Sequence, residues 1–284
     1  MKKFDQNGYH VLLVILIIVV VGIVGLVGWR VFGSKRSTQQ NTGDEVNTQQ
    51  PKDQEATQSA RWEWNGTKWE SSGEAPDCPN PNTFKKSPTD VSKATAVLYP
   101  GQNRGGDYKP HGGFRFDGVK NADVMVVAPM DAKLVEASRY IEQGETQILL
   151  TFTNDCGISY RFDHLLAVSP AIQAEIDKLP PAKPDDSRTT KFDSPVTVKT
   201  GDTIATAVGF KNSGNSSFDF GVYDLRERNK AAQDSAYATK HQDELSQAAY
   251  AVCWFDMLPS ADASVVKNLP AGDSASGKTS DYCK

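Results

Sequence analysis

The feature that most constrains the fold is a series of short segments rich in β-branched and aromatic residues between positions 93 and 226, interrupted by Gly, Asn, Asp and Pro. Segments of this kind are typical of strands joined by tight turns. One helix is predicted among them, at 171–179, with Ser169 as N-cap and Pro170 at its first position, and residues 180–195 are expected to form an exposed loop. Eight strands are predicted, at 94–98, 123–127, 133–138, 147–154, 158–165, 196–198, 203–208 and 218–223. The sequence therefore predicts a mainly β domain.

A tryptophan-rich hairpin is predicted before this domain, within residues 61–92. Aromatic and polar residues alternate on both sides of Asn65-Gly66, which favours two antiparallel strands joined by a type I′ turn. The alternation places three indoles on one face, those of Trp62, Trp64 and Trp69. Such a face either stacks on the sugar rings of a ligand or packs against the neighbouring domain, and packing is the commoner use.

Residues 227–284 are predicted to add a helical region and a tail to the β domain. Between 230 and 258, apolar residues recur at roughly helical spacing, namely Leu245, Ala248, Ala249, Val252 and Phe255. From Pro259 onward the sequence predicts a turn-rich tail.

Residues 11–29 contain neither charge nor proline and are dominated by Val, Ile and Leu. A run of this length crosses the ~30 Å hydrocarbon core of a bilayer at about 1.5 Å per residue. We predict a transmembrane helix over 11–32, preceded by a cytoplasmic N-terminus at 1–10. A cleavable signal peptide is the alternative, and it is disfavoured because no small-x-small site follows the run. Residues 33–60 are polar without aromatics, which predicts a disordered linker.

The charges beside this segment do not define its orientation. Lys2 and Lys3 precede it, whereas Arg30, Lys35 and Arg36 follow it. The positive-inside rule therefore leans slightly towards a cytoplasmic C-terminal part. We nevertheless expect that part to be extracytoplasmic, because it contains all four cysteines.

The four cysteines are Cys78, Cys156, Cys253 and Cys283. None has the close pair spacing of a zinc site, and in an oxidising compartment they would form two disulfides in one of three pairings. We favour Cys253–Cys283, which would hold the C-terminal tail, together with Cys78–Cys156. The alternative is four buried free thiols in a cytosolic domain.

Beyond the apolar segment the chain is acidic. Five of the 31 Lys and Arg residues and one of the 35 Asp and Glu residues lie in residues 1–36, so residues 37–284 hold 26 basic and 34 acidic residues. The sequence has no run of Lys and Arg interleaved with aromatic residues. Nucleic acid is therefore not expected as a partner.

Five segments follow one another in an order that resembles one known family. They are 110–117 (PHGGFRFD), 128–135 (APMDAKLV), 160–165 (YRFDHL), 198–204 (VKTGDTI) and 217–222 (SFDFGV). Together, over residues 96–226, they resemble the M23 (lysostaphin/LytM-type) zinc endopeptidases, which act on peptidoglycan. The resemblance implies a curved antiparallel sheet with a groove across its face. Lipoyl and biotinyl carriers share two of the segments but need a lysine at a hairpin tip, and this sequence has no Met-Lys-Met-like turn.

The resemblance also implies roles for particular residues, several of which have changed chemistry. In the family a His, an Asp four residues later and the second His of a His-x-His motif bind zinc. Here the corresponding residues are His111, Arg115 and Asp219, and a guanidinium cannot bind a metal because it stays protonated. The two proton-handling histidines of the family correspond to His164, which is retained, and Ser217, which cannot take that role.

Two arrangements of these residues are possible. We predict an Arg115–Asp219 ion pair in place of the metal, flanked by His111 and His164, because the guanidinium would compensate the carboxylate. The alternative is a displaced zinc site formed by His111, Asp117 and Asp219, or one that recruits His241.

The function expected from these observations is that of a single-pass membrane protein with a degenerate M23-like domain outside the cytoplasm. It would bind peptidoglycan or another envelope component, or regulate a wall hydrolase, without cleaving bonds and without a cofactor. One alternative is an active zinc metalloendopeptidase with atypical ligands. Another is an inert structural envelope protein whose contact surface is the tryptophan hairpin.

Overall fold

A nine-stranded sheet forms the body of the protein in a computed structural model, which describes residues 60–283. The strands are β1 (Arg61–Trp64), β2 (Trp69–Ser72), β3 (Ala96–Leu98), β4 (Gln102–Arg104), β5 (Asp107–Lys109), β6 (Gly112–Arg115), β7 (Val126–Val127), β8 (Ala132–Glu142), β9 (Glu145–Thr153), β10 (Ile158–Val168), β11 (Thr190–Val198), β12 (Thr203–Val208) and β13 (Ser217–Asp224). The α-helices of the described residues are α1 (Pro170–Ile176), α2 (Ser235–Lys240), α3 (Leu245–Ala248) and α4 (Ser260–Asn268).

The large sheet runs in the order β11-β8-β9-β10-β13-β6-β3, and β12 pairs with both β10 and β7. Its paired strands are antiparallel. β1–β2 and β4–β5 are separate two-stranded hairpins. The prediction of a mainly β, antiparallel fold with a C-terminal helical region is therefore confirmed.

The two faces of the sheet have different environments. One face carries a run of fully buried aromatic side chains, those of Phe114, Tyr160, Phe162, Phe218 and Phe220, and these pack against one another with ring centroids 5–6.5 Å apart. Because side chains alternate along a strand, the residues between them point to the opposite, outer face. That outer face carries the polar residues discussed below.

The C-terminal region is part of the same core. Trp254 and Phe255 are buried in the cluster that contains the sheet aromatics. Beyond them the chain runs along the edge strand β3, where Val97 N donates to Pro270 O at 3.0 Å and Gly272 N donates to Val97 O at 2.7 Å. This segment covers an otherwise open sheet edge, which would invite pairing with other chains.

Several local predictions were wrong. Strand β11 occupies 190–195, which were expected to be loop, and helix α4 lies where a turn-rich tail was expected. Strands β4, β5 and β6 were not predicted, because each is only three or four residues long and glycines adjoin or interrupt them. Helix α1 begins with Pro170 as predicted, although Ser169 makes no side-chain capping bond.

The tryptophan hairpin forms, but its turn differs from the predicted one. Trp64 pairs with Trp69, so the loop contains four residues instead of two. The Asn65 side-chain oxygen accepts hydrogen bonds from the backbone N–H groups of Thr67 and Lys68, both at 2.9 Å. Only Gly66 in this loop has a positive φ. Asn65 therefore stabilises the turn through its side chain.

Both favoured disulfides are present, Cys78–Cys156 and Cys253–Cys283. They are consistent with an oxidising, extracytoplasmic compartment. The predicted cytoplasmic segment, transmembrane helix and nearly all of the linker lie outside the described residues. Within residues 60–283, no helix is both long and apolar enough to cross a membrane.

Candidate functional site

A bulge in strand β10 places two consecutive polar side chains on the outer face of the sheet. The β9–β10 register shifts between Phe162 and Leu165, and both of these residues point into the core. Between them, His164 has a φ of 60°, a left-handed conformation that a non-glycine residue adopts at a cost. As a result Asp163 and His164 share the outer face, where a regular strand would place them on opposite sides.

Strand pairing brings the other site residues to the same place. Asp163 lies directly opposite Asp219 in the β10–β13 pair, and Gly113 lies opposite Asp219 in the β6–β13 pair. One carboxylate oxygen of Asp219 lies 2.8 Å from Nε2 of His111 and 3.7 Å from Nε2 of His164. These three side chains are only 10–18% exposed. We call His111, His164 and Asp219 the histidine–aspartate cluster.

A glycine makes room for this cluster. A Cβ atom on Gly221 would lie 2.8 Å from Cβ of His111 and 2.7 Å from the hydroxyl of Tyr223. The lack of a side chain at Gly221 therefore lets His111 lie against the sheet and reach Asp219.

Burial and nearby charges shift the pKa values of both His111 and Asp219. Burial lowers the pKa of His111, and the nearby cations of Arg161 and Arg104 lower it further, against the attraction of Asp219. Burial alone raises the pKa of Asp219, but interaction with His111 outweighs it and holds the pKa of the carboxyl below its ordinary value. We therefore assign a neutral His111 that donates its Nε2–H to an ionised Asp219.

The neighbouring carboxylate, Asp163, is held by three donors. Arg161 donates to it at 2.7 Å, and the Tyr140 hydroxyl and the backbone N–H of His164 donate to its other oxygen at 2.8 Å each. The hydroxyl of Tyr140 also lies 3.4 Å from Nδ1 of His164. Two like charges opposite each other on a sheet are unfavourable, and these donors compensate one of them.

Arg115 does not form the predicted pair with Asp219. Its guanidinium donates to Asp117 at 3.0 Å and to the backbone carbonyl of Gly272 at 2.9 Å. The prediction was wrong because the C-terminal segment supplies an acceptor beside Arg115, while His111 already occupies the oxygen of Asp219. Ser217 lies directly opposite Arg115 in the β6–β13 pair.

The residues present do not fit a zinc ion of the family type. Asp117 is engaged by Arg115 and by the hydroxyl of Thr95, and the Nδ1 atom of His241 lies 2.7 Å from Glu244. Among residues 60–283, no three His, Cys, Asp or Glu side chains form a group suited to a metal ion. The alternative site of His111, Asp117 and Asp219 is therefore not assembled.

The tryptophan hairpin packs against the C-terminal region. Its indoles contact a second cluster that includes Tyr223, Leu225 and Tyr250. Trp69 Nε1 donates to the carbonyl of Ser246 at 2.9 Å, and Trp62 Nε1 lies 3.5 Å from the carbonyl of Asp155. All three tryptophans are half-buried and line a groove on the outer face.

Arg161, Asp163 and Tyr140 were not among the predicted site residues. Arg161 and Asp163 lie within the segment 160–165 that carried the resemblance, but their residue types give no sign that a bulge joins them to His164. No family model matches the chain, and no curated protein is significantly similar to it. The likeness to the M23 peptidases therefore remains a prediction from the quoted segments.

Proposed function

We propose that this protein is a membrane-anchored, extracytoplasmic protein with a degenerate M23-like domain that binds peptidoglycan or an associated envelope component without cleaving it. The observation that carries the proposal is the His111–Asp219 hydrogen bond of 2.8 Å. It joins two of the three positions that would hold a metal in the family, while the third, Arg115, is turned away towards Asp117 and Gly272.

Loss of catalysis follows from the chemistry of these groups. Zinc peptidases need an open metal position at which a water molecule is acidified. In His111, Nε2 is hydrogen-bonded to Asp219 and Nδ1 is buried, so neither nitrogen is placed to take a proton from a water molecule. Ser217, in the place of a proton-handling histidine, has no group that titrates near neutral pH.

Two further observations support the location. The two disulfides favour an oxidising compartment, and the apolar run at 11–29 has the length of a membrane anchor. The polar linker predicted over residues 33–60, 28 residues long, would hold the domain within a few nanometres of the bilayer.

The proposal is tested on the full-length chain, purified without chelator or affinity tag and dialysed against trace zinc. We expect less than stoichiometric zinc, no release of soluble fragments from purified cell-wall sacculi, and sedimentation of the protein with those sacculi. Stoichiometric zinc that is lost in His111→Ala, together with wall cleavage, would instead establish the peptidase. Failure to sediment with sacculi would remove the wall-binding function.

A further inference from the structure

A second region of the outer face, separate from the histidine–aspartate cluster, has the form of a ligand site. A groove of about 830 Å³ lies between the tryptophan hairpin and the edge strand β11, a volume typical of sites that take small molecules or short peptides. Its floor includes Thr151, Ser159 and Arg161, and its walls include Trp62 and Phe192. We call it the hairpin groove.

Arg161 lies at the floor with spare hydrogen-bonding capacity. A guanidinium carries five N–H donors, and that of Arg161 donates to Asp163 at 2.7 Å and to the side-chain oxygen of Gln247 at 3.4 Å. Its buried Nε–H has no acceptor within the described residues. The Nε atom itself is closed to solvent, so a ligand would meet the part of the Arg161 side chain that lines the groove, where an anionic oxygen would be attracted to the guanidinium.

The charged residues that line the hairpin groove are five cations, Arg61, Lys133, Arg161, Arg188 and Lys191, and two carboxylates, Glu63 and Glu136. Four of the cations pair with a carboxylate: Arg61 with Glu63, Lys133 with Asp155, Arg161 with Asp163 and Arg188 with Asp186. Lys191, at the rim, makes no ion pair with the residues that the structure describes. An anionic ligand would therefore meet one unpaired cation at the rim and the guanidinium of Arg161 at the floor.

The edge strand supplies features that suit a peptide. The β11–β8 register jumps from Lys191 opposite Glu136 to Val196 opposite Leu134, so residues 192–195 lie outside the ladder. Their backbone groups are thus available to an extended chain, as in recognition by strand addition. Phe192 and Pro195 line the groove beside them and offer apolar contacts to alternate side chains.

The tryptophans are less suited to a sugar. Trp62 and Trp69 direct their indole N–H groups to protein carbonyls, so these groups are occupied. Trp64 is tilted against Trp69 and meets Tyr250 edge-on. The hairpin therefore forms an apolar wall rather than a free stacking platform with polar handles for hydroxyl groups.

We propose that the hairpin groove binds a short extended peptide bearing carboxylate side chains, with one carboxylate at Arg161 and the peptide backbone along residues 192–195. This binding goes beyond the proposed function, since it needs neither the wall nor the histidine–aspartate cluster. The peptide's chemistry is defined by the groove, and its source is any acidic protein segment that reaches it.

The test uses the full-length chain and an array of synthetic pentapeptides that differ in their number of Asp and Glu residues. Gln247→Glu is the informative variant, because Glu keeps an acceptor for Tyr223 and Arg161 and adds a negative charge at the groove. The matched control is Gln242→Glu, which makes the same change at an exposed position that is not part of the lining.

We expect affinity to rise with the number of carboxylates in the wild type and in Gln242→Glu, and to fall about tenfold or more in Gln247→Glu because like charges meet at the groove. Lys191→Ala at the rim should weaken acidic peptides, whereas Lys120→Ala, at an exposed position outside the groove, should not.

Equal binding of acidic and neutral peptides would overturn the proposal, as would Gln247→Glu binding acidic peptides as the wild type does. A preference for N-acetylglucosamine oligomers over all peptides would overturn it in favour of a glycan site. Acidic-peptide binding without sedimentation on sacculi would support the groove and remove the wall-binding function. If no form of the protein binds peptides but Gln247→Glu still sediments with sacculi, the groove proposal would be overturned and the wall-binding function supported.

Discussion

The histidine–aspartate cluster and the hairpin groove lie on the same face of one sheet but differ in the space beside their charged groups. In the cluster, Asp219 is hydrogen-bonded to His111, and the neighbouring Asp163 accepts from three donors. In the groove, Arg161 shares one of those bonds with Asp163 but lies beside an open volume of about 830 Å³. Each region keeps one buried nitrogen without a partner, Nδ1 of His111 and Nε of Arg161, but only the groove has room for a ligand.

Arg161 is the point at which the two regions meet. It lines the groove and donates to Asp163. Burial lowers the pKa of His111 most, and the charge of Arg161 lowers it further. Changes at Arg161 should therefore affect both regions, whereas changes on either side of it should affect only one.

The largest effect is expected from Arg161→Met. Removing one partner of a buried ion pair leaves Asp163 uncompensated, and the free energy of unfolding should fall by about 3–5 kcal/mol. The double variant Arg161→Met/Asp163→Leu should recover part of this loss, because neither member of the pair is then left buried without its partner. Urea unfolding measures both.

Arg226→Met is the control for this experiment. Arg226 pairs with Asp224 at 2.6 Å but is 41% exposed, so its loss should cost about 1 kcal/mol or less. A double variant no more stable than Arg161→Met would show that uncompensated charge is not the cause.

Removal of one disulfide should affect the hairpin groove, whereas removal of the other should not. Each Cys→Ser pair should lower the free energy of unfolding by about 2–4 kcal/mol, because the unfolded chain regains entropy. Cys156 precedes Gly157, on which the indole of Trp62 rests, so removing Cys78–Cys156 should also weaken acidic-peptide binding. Removing Cys253–Cys283, beside the tail that covers β3, should leave that binding nearly unchanged. Equal loss of binding in both variants would contradict the separation.

The sequence predicted the sheet better than the site. Strand β12 covers 203–208 as predicted, because alternating apolar residues between turn signals define a strand locally. His111, His164 and Asp219 were expected together, and they are together. Their contacts were not predicted, because nothing in the residue types around His164 indicates the positive φ that accompanies the bulge.

The hydrogen-bond partner of Arg115 also could not be predicted from the sequence near it. The acceptor that draws it away from Asp219 is the carbonyl of Gly272, 157 residues later in the chain. Its position depends on how the tail packs along β3, which no pattern around Arg115 contains. Long-range packing thus determines which acceptors Arg115 contacts.

A smaller effect is expected from pH. The folded-state pKa of His111 is lowered mainly by burial, so the unfolded chain takes up a proton first as the pH falls below about 6.5. Stability from this residue is therefore complete above that pH and lost as the pH falls towards the folded pKa, with a slope of at most about 1.4 kcal/mol per pH unit. The lowered pKa of Asp219 adds a second loss below about pH 4.

His111→Gln isolates the first of these losses. A glutamine amide can still donate to Asp219 but does not titrate. Urea unfolding between pH 7.5 and 5 should therefore show a shallower pH dependence in His111→Gln than in the wild type. An identical slope in both proteins would mean that His111 is not the group responsible.

The smallest effect concerns the hairpin turn. Asn65→Ala removes the oxygen that accepts from Thr67 and Lys68, and the free energy of unfolding should fall by about 1 kcal/mol. Asn65→Asp keeps that acceptor but places a like charge beside Glu70, so it should lose less stability than Asn65→Ala. Because the hairpin forms one wall of the groove but not of the histidine–aspartate cluster, Asn65→Ala should weaken acidic-peptide binding and leave the pH dependence of unfolding unchanged. A change in that pH dependence would show that the two regions are coupled through the hairpin as well as through Arg161.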